Sequence, residues 1–530
     1  MDELFDTNIN RSPAAYLLNP VEERRQYTYD VDKLMTVLGF RTDSGTDLGL
    51  ISWFAVHGVT VNNTNRLVNG DNKGYASYVT EKHFQKDQDP RFVAAFAQSN
   101  EGDVSPHTLG AFCSGTEIPC DGSYANKCPF RSRCIGRGPG WEMGHYETNR
   151  IIGQNQATKA IELFRQQRDM PTYVSGVIDF RHQYWDITKA TVRTTDGDLV
   201  HPCLPAMGYG FAAGTTDGPA VRGLYQNMTK GTLLWGTLAH LLRWPSQQQK
   251  LCHAPKPIIL NTGEMTYPFE WQPHILDIQL LRIGSVFIIG VPAEFTTMSG
   301  RRLRNAVQKT LCEYGICDTV VILSGPANGY SSYVATFEEY QMQRFEGAAT
   351  AYGPHTLQAY VDAFKTLAKS MALEDPSMIQ SEKFRDFTPQ AFNFVTRHGA
   401  DRPKLFHHFG DIVSDVDVQY NRRLNQTVSA TFVAGNPRNN VLHEGTFLTV
   451  ERKTPQGTWS VVRTDNDYDT RFRWRYTSKL FGQSEATIEW DIHEHTEPGT
   501  YRLVYYGHNK ESLKRTIRPH SGQSSEFTVY

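Results

Sequence analysis

Four polar residues stand at or just beyond the ends of apolar runs. His57 follows "LGLISWFAV", Ser105 follows "FVAAFAQ", Glu294 follows "SVFIIGV" and Tyr333 follows "TVVILSG". A neutral imidazole and a carboxylate are metal ligands, and a phenol and a hydroxyl add polar groups that can face a reacting centre. Each also has a plainer reading: His57 as a structural histidine, Glu294 as a cap for the helix that "FTTMSGRRLRNAV" begins, Tyr333 as packing, and Ser105 as a turn hydroxyl before Pro106. Their common feature is position, because strand ends that give way to loops are where layered α/β sheets collect ligands. The sequence therefore predicts that the four converge although they lie far apart along the chain.

The elements that must bring them together are legible as short apolar runs rich in β-branched and aromatic residues. Such runs read as strands buried on both faces, with helical stretches at 154–168 and 298–312 between or after them. The expected fold is an α/β catalytic domain with a mixed sheet and helices over residues 1–374, and a linker over 375–404, where charge and proline replace apolar periodicity. Over 405–530, alternating stretches such as "QTVSATFVAG", "TFLTVERK", "TWSVVRTD", "ATIEWDIH" and "TYRLVYYG", set off by turn residues, predict a β-sandwich of immunoglobulin-like type. His493 and His495, alternate residues in "DIHEHTE", read as solvated strand-edge residues rather than a metal pair.

A chain of 530 residues can bury more than one core. Lys and Arg total 54 against 56 Asp and Glu, which gives no electrostatic footprint for nucleic acid. No apolar run approaches the roughly 20 residues of a spanning helix. The sequence shows no G-x-S-x-G, H-E-x-x-H, Walker A or G-x-G-x-x-G motif. Of eight cysteines, Cys113, Cys120, Cys128 and Cys134 share one Gly/Pro/Ser-rich loop, at gaps of six, seven and five residues. That spacing favours disulfides over a zinc site, and Cys203 with Cys252 offers a further bridge, with Cys312 and Cys317 left open. Sequons at Asn10, Asn62, Asn227 and Asn425 point, with the disulfides, to the cell exterior.

Taken together, "WFAVHGVTVNNTNRLVNGDNKGYASY", "SNEGDVSPHTLG", "GFAAGTTDG", "PAEFTTMSGRRLR" and "YGPHTLQAY" resemble the neutral ceramidase family, and the resemblance runs from about residue 10 to 530. It implies a zinc amidohydrolase that cleaves ceramide and other N-acylsphingoid bases into a sphingoid base and a fatty acid, at or outside the cell surface, with a membrane as the source of substrate. By resemblance the zinc ligands are His57, Glu294 and Tyr333. Ser105 matches the serine assigned as nucleophile or as essential to the attack, and Arg11 in "NRSPAAY" matches an active-site arginine. The family pattern has an additional N-terminal segment, with a secretory signal and zinc-binding and catalytic histidines, that precedes the first residue here. A truncated, inactive paralogue acting as a lipid- or protein-binding module is accordingly the alternative expectation. Phe345 stands where relatives commonly have tyrosine, His107 where they have asparagine and Gly58 where they have proline.

Overall fold

The computed structural model describes residues 1–530 apart from 86–91, 121–127, 129–132, 171–172, 195, 219–220, 222, 233–242, 392–393, 395–398 and 512–515. Within residues 1–390 the described elements build two four-stranded sheets. The first contains β1 (Asp2–Glu3), β3 (Leu34–Arg41), β4 (Asp47–Trp53) and β5 (Val93–Ala97) in that order, while β2 (Ile9–Asn10) pairs elsewhere. Strands β3 and β4 are antiparallel, whereas β4 and β5 are parallel. A parallel pair needs a crossover, and α1 (Asp71–Gln85) supplies it.

Alternation along these strands feeds two different interiors. Met35, Val37 and Leu50 join a core with Phe84 of α1 and with Ile152, Ala160 and Phe164 of α2 (His145–Asp169). Leu38, Ile51 and Trp53 point to the opposite face and meet Val286, Ile288 and Ile322 of the second sheet. That sheet runs β13 (Val320–Ser324), β11 (Val286–Gly290), β10 (Ile275–Ile283) and β9 (Ile178–Asp186). Its other face, through Ile278, Leu280, Phe287, Ile289 and Leu323, packs on Leu303 and Val307 of α3 (Thr297–Glu313) and on Tyr360, Phe364 and Leu367 of a later helix over Thr356–Ala372. The outcome is two sheets face to face with helices outside each.

The expectation of strands buried on both faces holds for β4 and β11 but fails for β5. Val93 is 60% exposed, and Ala95 is exposed as well. Strand β5 is the edge of its sheet, so half of its apolar run has nothing opposite it among the described residues. The long strands β9 and β10 were not anticipated, because polar residues interrupt both: "IDFRHQYWD" and "ILDIQLLRI". Residues up to Gln390 of the expected linker segment belong to this unit, and Glu382 donates its N–H to the Tyr184 carbonyl along β9. Residues 392–393 and 395–398 of that segment lie outside the described residues.

The second unit, centred on residues 391–530, has two sheets around one core. One contains Ile412–Ser414, Thr427–Ala434, Gln483–Asp491 and Thr470–Ser478, and the other is built on Leu448–Lys453, Gly499–Lys510 and Phe527–Val529. Phe432, Ile488 and Trp490 from the first meet Val450, Leu503, Tyr505 and Phe527 from the second. The strand Thr470–Ser478, not among the alternating stretches read from the sequence, sets Phe472 and Trp474 toward the core and turns its arginines outward, pairing Arg471 and Arg473 with Glu489.

All eight cysteines are paired: Cys113–Cys128, Cys120–Cys134, Cys203–Cys252 and Cys312–Cys317. Cys113, Cys120 and Cys128 bring sulfurs within 4.8 Å of one another, but disulfides consume all three as ligands. Asn62 and Asn425 are exposed, whereas Asn10 is 8% exposed and donates to Asp103, so it has no room for a glycan. His493 and His495 are exposed, as expected. Among the described residues no helix is long and apolar enough to cross a membrane.

Candidate active site

Two strand pairs of two residues each, rather than the large sheets, set the chemistry. In one, β2 lies antiparallel to β6 (Val104–Ser105), with Ile9 opposite Ser105, so Arg11 emerges directly beyond the pair. In the other, β12 (Glu294–Phe295) lies parallel to β14 (Tyr333–Val334), and the register sets Glu294 opposite Tyr333. The pairs are joined by Gly102, whose N–H donates to the Phe295 carbonyl at 2.8 Å. A Cβ at Gly102 would lie 2.8 Å from the Phe295 carbonyl carbon, so a side chain there would push the pairs apart.

His57 leaves β4 toward these pairs. Its Nδ1 lies 2.7 Å from the Val104 carbonyl oxygen, and a carbonyl only accepts, so Nδ1 carries the proton. Nε2 then faces Glu294 Oε2 at 2.7 Å and the Tyr333 hydroxyl at 3.2 Å. An Nε2–H donates to this carboxylate; once Nε2 is deprotonated, its lone pair and the two oxygens form a donor set that a cation can take. Glu294 Oε1 accepts from the Tyr330 hydroxyl at 2.6 Å. Burial pushes the Glu294 carboxyl up, but bonds from His57, Tyr330 and Tyr333 outweigh it and hold the group at about 2. Burial drives the Tyr333 hydroxyl well above its usual value, with Arg11 opposing.

The capping role for Glu294 is filled by others. Thr296 is the N-cap of α3 and accepts from the Ser299 N–H, while Asp103 Oδ1 accepts from the Thr297 N–H at 2.7 Å. The Glu294 carboxylate is left for His57.

Arg11 is 5% exposed and ties the centre to the rest of the site. Nε donates to Glu346 Oε1 at 2.9 Å, and Nη2 donates to the Gly102 carbonyl at 2.9 Å and to the Tyr333 hydroxyl at 3.2 Å. Nη1 lies 3.5 Å from Asp217 Oδ1. Burial would push the Asp217 carboxyl up, yet Arg11, with His107 and Ser105 nearby, holds it well below the usual carboxylate range. Ser105, 1% exposed, has its Oγ 3.2 Å from His107 Nδ1 and accepts from the His107 backbone N–H at 3.1 Å. Of the five expected site residues, His57, Glu294, Tyr333 and Arg11 therefore meet directly. Ser105 joins them through His107, Asp217 and Arg11.

Asp217, Glu346, Tyr330 and Glu101 were not singled out from the sequence. Glu101, one strand end before Ser105, is 2% exposed, and burial together with Glu294 pushes its carboxyl well above the usual range. Asp217 sits in the quoted "GFAAGTTDG", where an acidic residue in a Gly/Thr-rich loop was the available signal. Phe345 lies against Tyr333, with ring centroids 5.2 Å apart, and the Arg11 guanidinium carbon is 5.6 Å from its ring centroid. It contributes an apolar wall and no hydroxyl.

Residues 1–362 match the model "Neutral/alkaline non-lysosomal ceramidase, N-terminal", and residues 364–529 match its C-terminal counterpart. The chain is 42% identical over 537 residues to neutral ceramidase B of Dictyostelium discoideum, spanning 99% of this chain and 73% of that protein. It is 40% identical over 602 residues to neutral ceramidase 1 of Arabidopsis thaliana, spanning 99% of this chain and 76% of the relative. A solved structure titled "Ceramidase complexed with C2" superposes with a TM-score of 0.83 at 35% identity, covering all of this chain and 76% of its own. The neutral ceramidase of Pseudomonas aeruginosa gives a TM-score of 0.80 at 33% identity, with the same coverage.

Proposed function

The chain belongs to the neutral/alkaline non-lysosomal ceramidase family of amidohydrolases, and from that premise we propose that it cleaves the N-acyl amide of ceramide to sphingosine and a free fatty acid with a zinc ion held by His57, Glu294 and Tyr333. The observation that carries this reading is the parallel pairing of Glu294 with Tyr333, which aims both oxygens at His57 Nε2. The donor set suits zinc: an imidazole nitrogen faces a carboxylate oxygen, and a backbone carbonyl fixes the far ring nitrogen in the tautomer that ligation requires.

When bound, zinc supplies Lewis acidity that polarises an amide carbonyl and acidifies water. The protein's own groups divide the remaining work. Val104 orients His57, and Tyr330 orients Glu294. Arg11 places a fixed positive charge beside Tyr333, where it offsets negative charge developing on the carbonyl oxygen. Ser105 supplies the buried hydroxyl that takes part in the attack on the carbonyl carbon. Burial of these groups keeps the field of Arg11 unscreened by water.

The four disulfides and the exposed Asn62 and Asn425 sequons support an extracellular or cell-surface setting, with a membrane surface as the source of substrate. We read the second unit as an immunoglobulin-like sandwich. The test is zinc content and hydrolysis of a fluorescent ceramide by the chain secreted under an added signal peptide. Stoichiometric zinc with turnover, both lost on chelation, is expected. A folded protein with neither overturns the reading in favour of a non-catalytic relative.

A further inference from the structure

Ser105 belongs to a second cluster whose other members, His107 and Asp217, the zinc reading leaves without a task. Its Oγ accepts from the His107 backbone N–H at 3.1 Å, which fills one acceptor position and leaves the hydroxyl proton to be donated elsewhere. His107 Nδ1 lies 3.2 Å away and, facing the Asp217 carboxylate, carries the ring proton, which points toward Ser105 Oγ and Asp217. Beyond it, Asp217 Oδ2 is 3.6 Å from the same nitrogen. This oxygen is buried and, among the described residues, meets the longer approach of His107 and Ser105 rather than a donor at full hydrogen-bond distance. The other carboxylate oxygen faces Arg11.

The disulfide-bonded hairpin walls this cluster. Strands β7 (Ala111–Cys113) and β8 (Cys134–Gly136) pair with Ala111 opposite Gly136, and two disulfides close the loop between them. A Cβ at Gly136 would lie 2.7 Å from both Asp217 Cβ and His107 Cγ, and 2.8 Å from Nδ1. The bare backbone of β8 therefore presses His107 and Asp217 together, and the Gly110 N–H bonds to the His107 carbonyl at 2.9 Å where the hairpin begins.

We propose that His107 is a positioning residue for Ser105, with Asp217 and the stapled hairpin holding its ring so that the Ser105 hydroxyl keeps one orientation during amide cleavage. The inference rests on the reading of the site as an amide-hydrolysing centre. It makes Ser105 and His107 one unit whose losses do not multiply, which a merely structural histidine would not produce.

The test is kinetics on a fluorescent N-acylsphingosine, with zinc content and melting temperature measured on each variant. His107→Ala is expected to lower kcat about 100-fold with KM changed less than about twofold, at unchanged zinc and melting temperature. His107→Asn, which keeps a hydrogen-bonding group, should recover about tenfold of that loss, and Gly136→Ala should lower kcat about tenfold by displacing the ring. The double variant Ser105→Ala/His107→Ala should be no slower than Ser105→Ala alone. An unchanged kcat in His107→Ala, or losses that multiply in the double variant, overturns the proposal. If the unmodified chain shows no turnover, the functional reading fails and a fluorophosphonate probe decides the inference by itself. Labelling of Ser105 slowed at least about tenfold in His107→Ala upholds it. Equal labelling, or none in the unmodified chain, overturns it.

Discussion

Two charge clusters in the first unit make an instructive contrast. Around Asp32 every acceptor is met: Oδ1 takes a bond from Arg301 Nε at 2.7 Å, and Oδ2 takes bonds from Arg304 and from Asn100 Nδ2. Around Arg11 the balance is incomplete. Among the described residues Glu101 Oε2 and Asp217 Oδ2 lack a partner at hydrogen-bond distance, and His57, Glu294 and Tyr333 turn three ligand atoms toward one point. The two clusters share residue types, so composition does not separate them, although Asp32 and Arg304 are partly exposed while Arg11, Asp217 and Glu346 are closed off. What separates them is satisfaction: a fully paired cluster holds parts of the fold together, while an unpaired one keeps binding capacity for something outside the chain.

Breaking the contrast at the incomplete cluster should give the largest effect. His57→Ala or Glu294→Ala should remove zinc and at least about 1000-fold of the turnover together, with the melting temperature held within a few degrees. Full metal content in both variants would remove them from the ligand set. Ser105→Ala should keep its zinc and lose about 100- to 1000-fold in kcat, and wild-type turnover there would exclude the hydroxyl from the reaction.

At the satisfied cluster the readout changes from activity to stability. Arg301→Ala leaves the partly buried Asp32 with half its charge partners gone and should cost about 2 kcal/mol in denaturant unfolding, while activity per folded molecule stays the same. A cost below about 0.5 kcal/mol would erase the distinction drawn between the clusters.

Acid offers a gentler version of the same cut. Burial pushes the Asp32 carboxyl up, but Arg304 and Arg301, with Asn100, pull it down from 3.8 to about 2. A group depressed in the folded state contributes its stability above the unfolded value and loses it as pH falls. Roughly 2 kcal/mol should therefore disappear between about pH 4 and pH 2. Asp32→Asn should flatten that part of the stability profile, and an unchanged slope would show that the arginines do not act through Asp32. The smallest effect belongs to the exposed ladder of the second unit. Arg473→Ala, which removes a half-exposed partner of Glu489, should shift stability by less than about 0.5 kcal/mol.

Much of this was legible in the primary structure, and for identifiable reasons. Continuous apolar runs located β4 and β11, and alternating runs located most strands of the second unit, because burial of both faces or of one leaves a local record. The polar residues beyond those runs marked His57, Ser105, Glu294 and Tyr333, because a strand that ends at a site must hand over to polar groups. The clustered cysteines announced disulfides through their spacing.

Tertiary structure alone decided which of these groups meet. Strand pairs of two residues carry no periodicity, so nothing local could place Glu294 opposite Tyr333 or Ile9 opposite Ser105. Arg11 finds Glu346 across 335 positions, and Asp217 reaches His107 only because the glycine backbone of β8 leaves it room. Residue types and their distance from a strand end are local properties and survive in a linear sequence. Register between distant short strands, and the unmet charge it creates, exist only once the whole unit has closed around them.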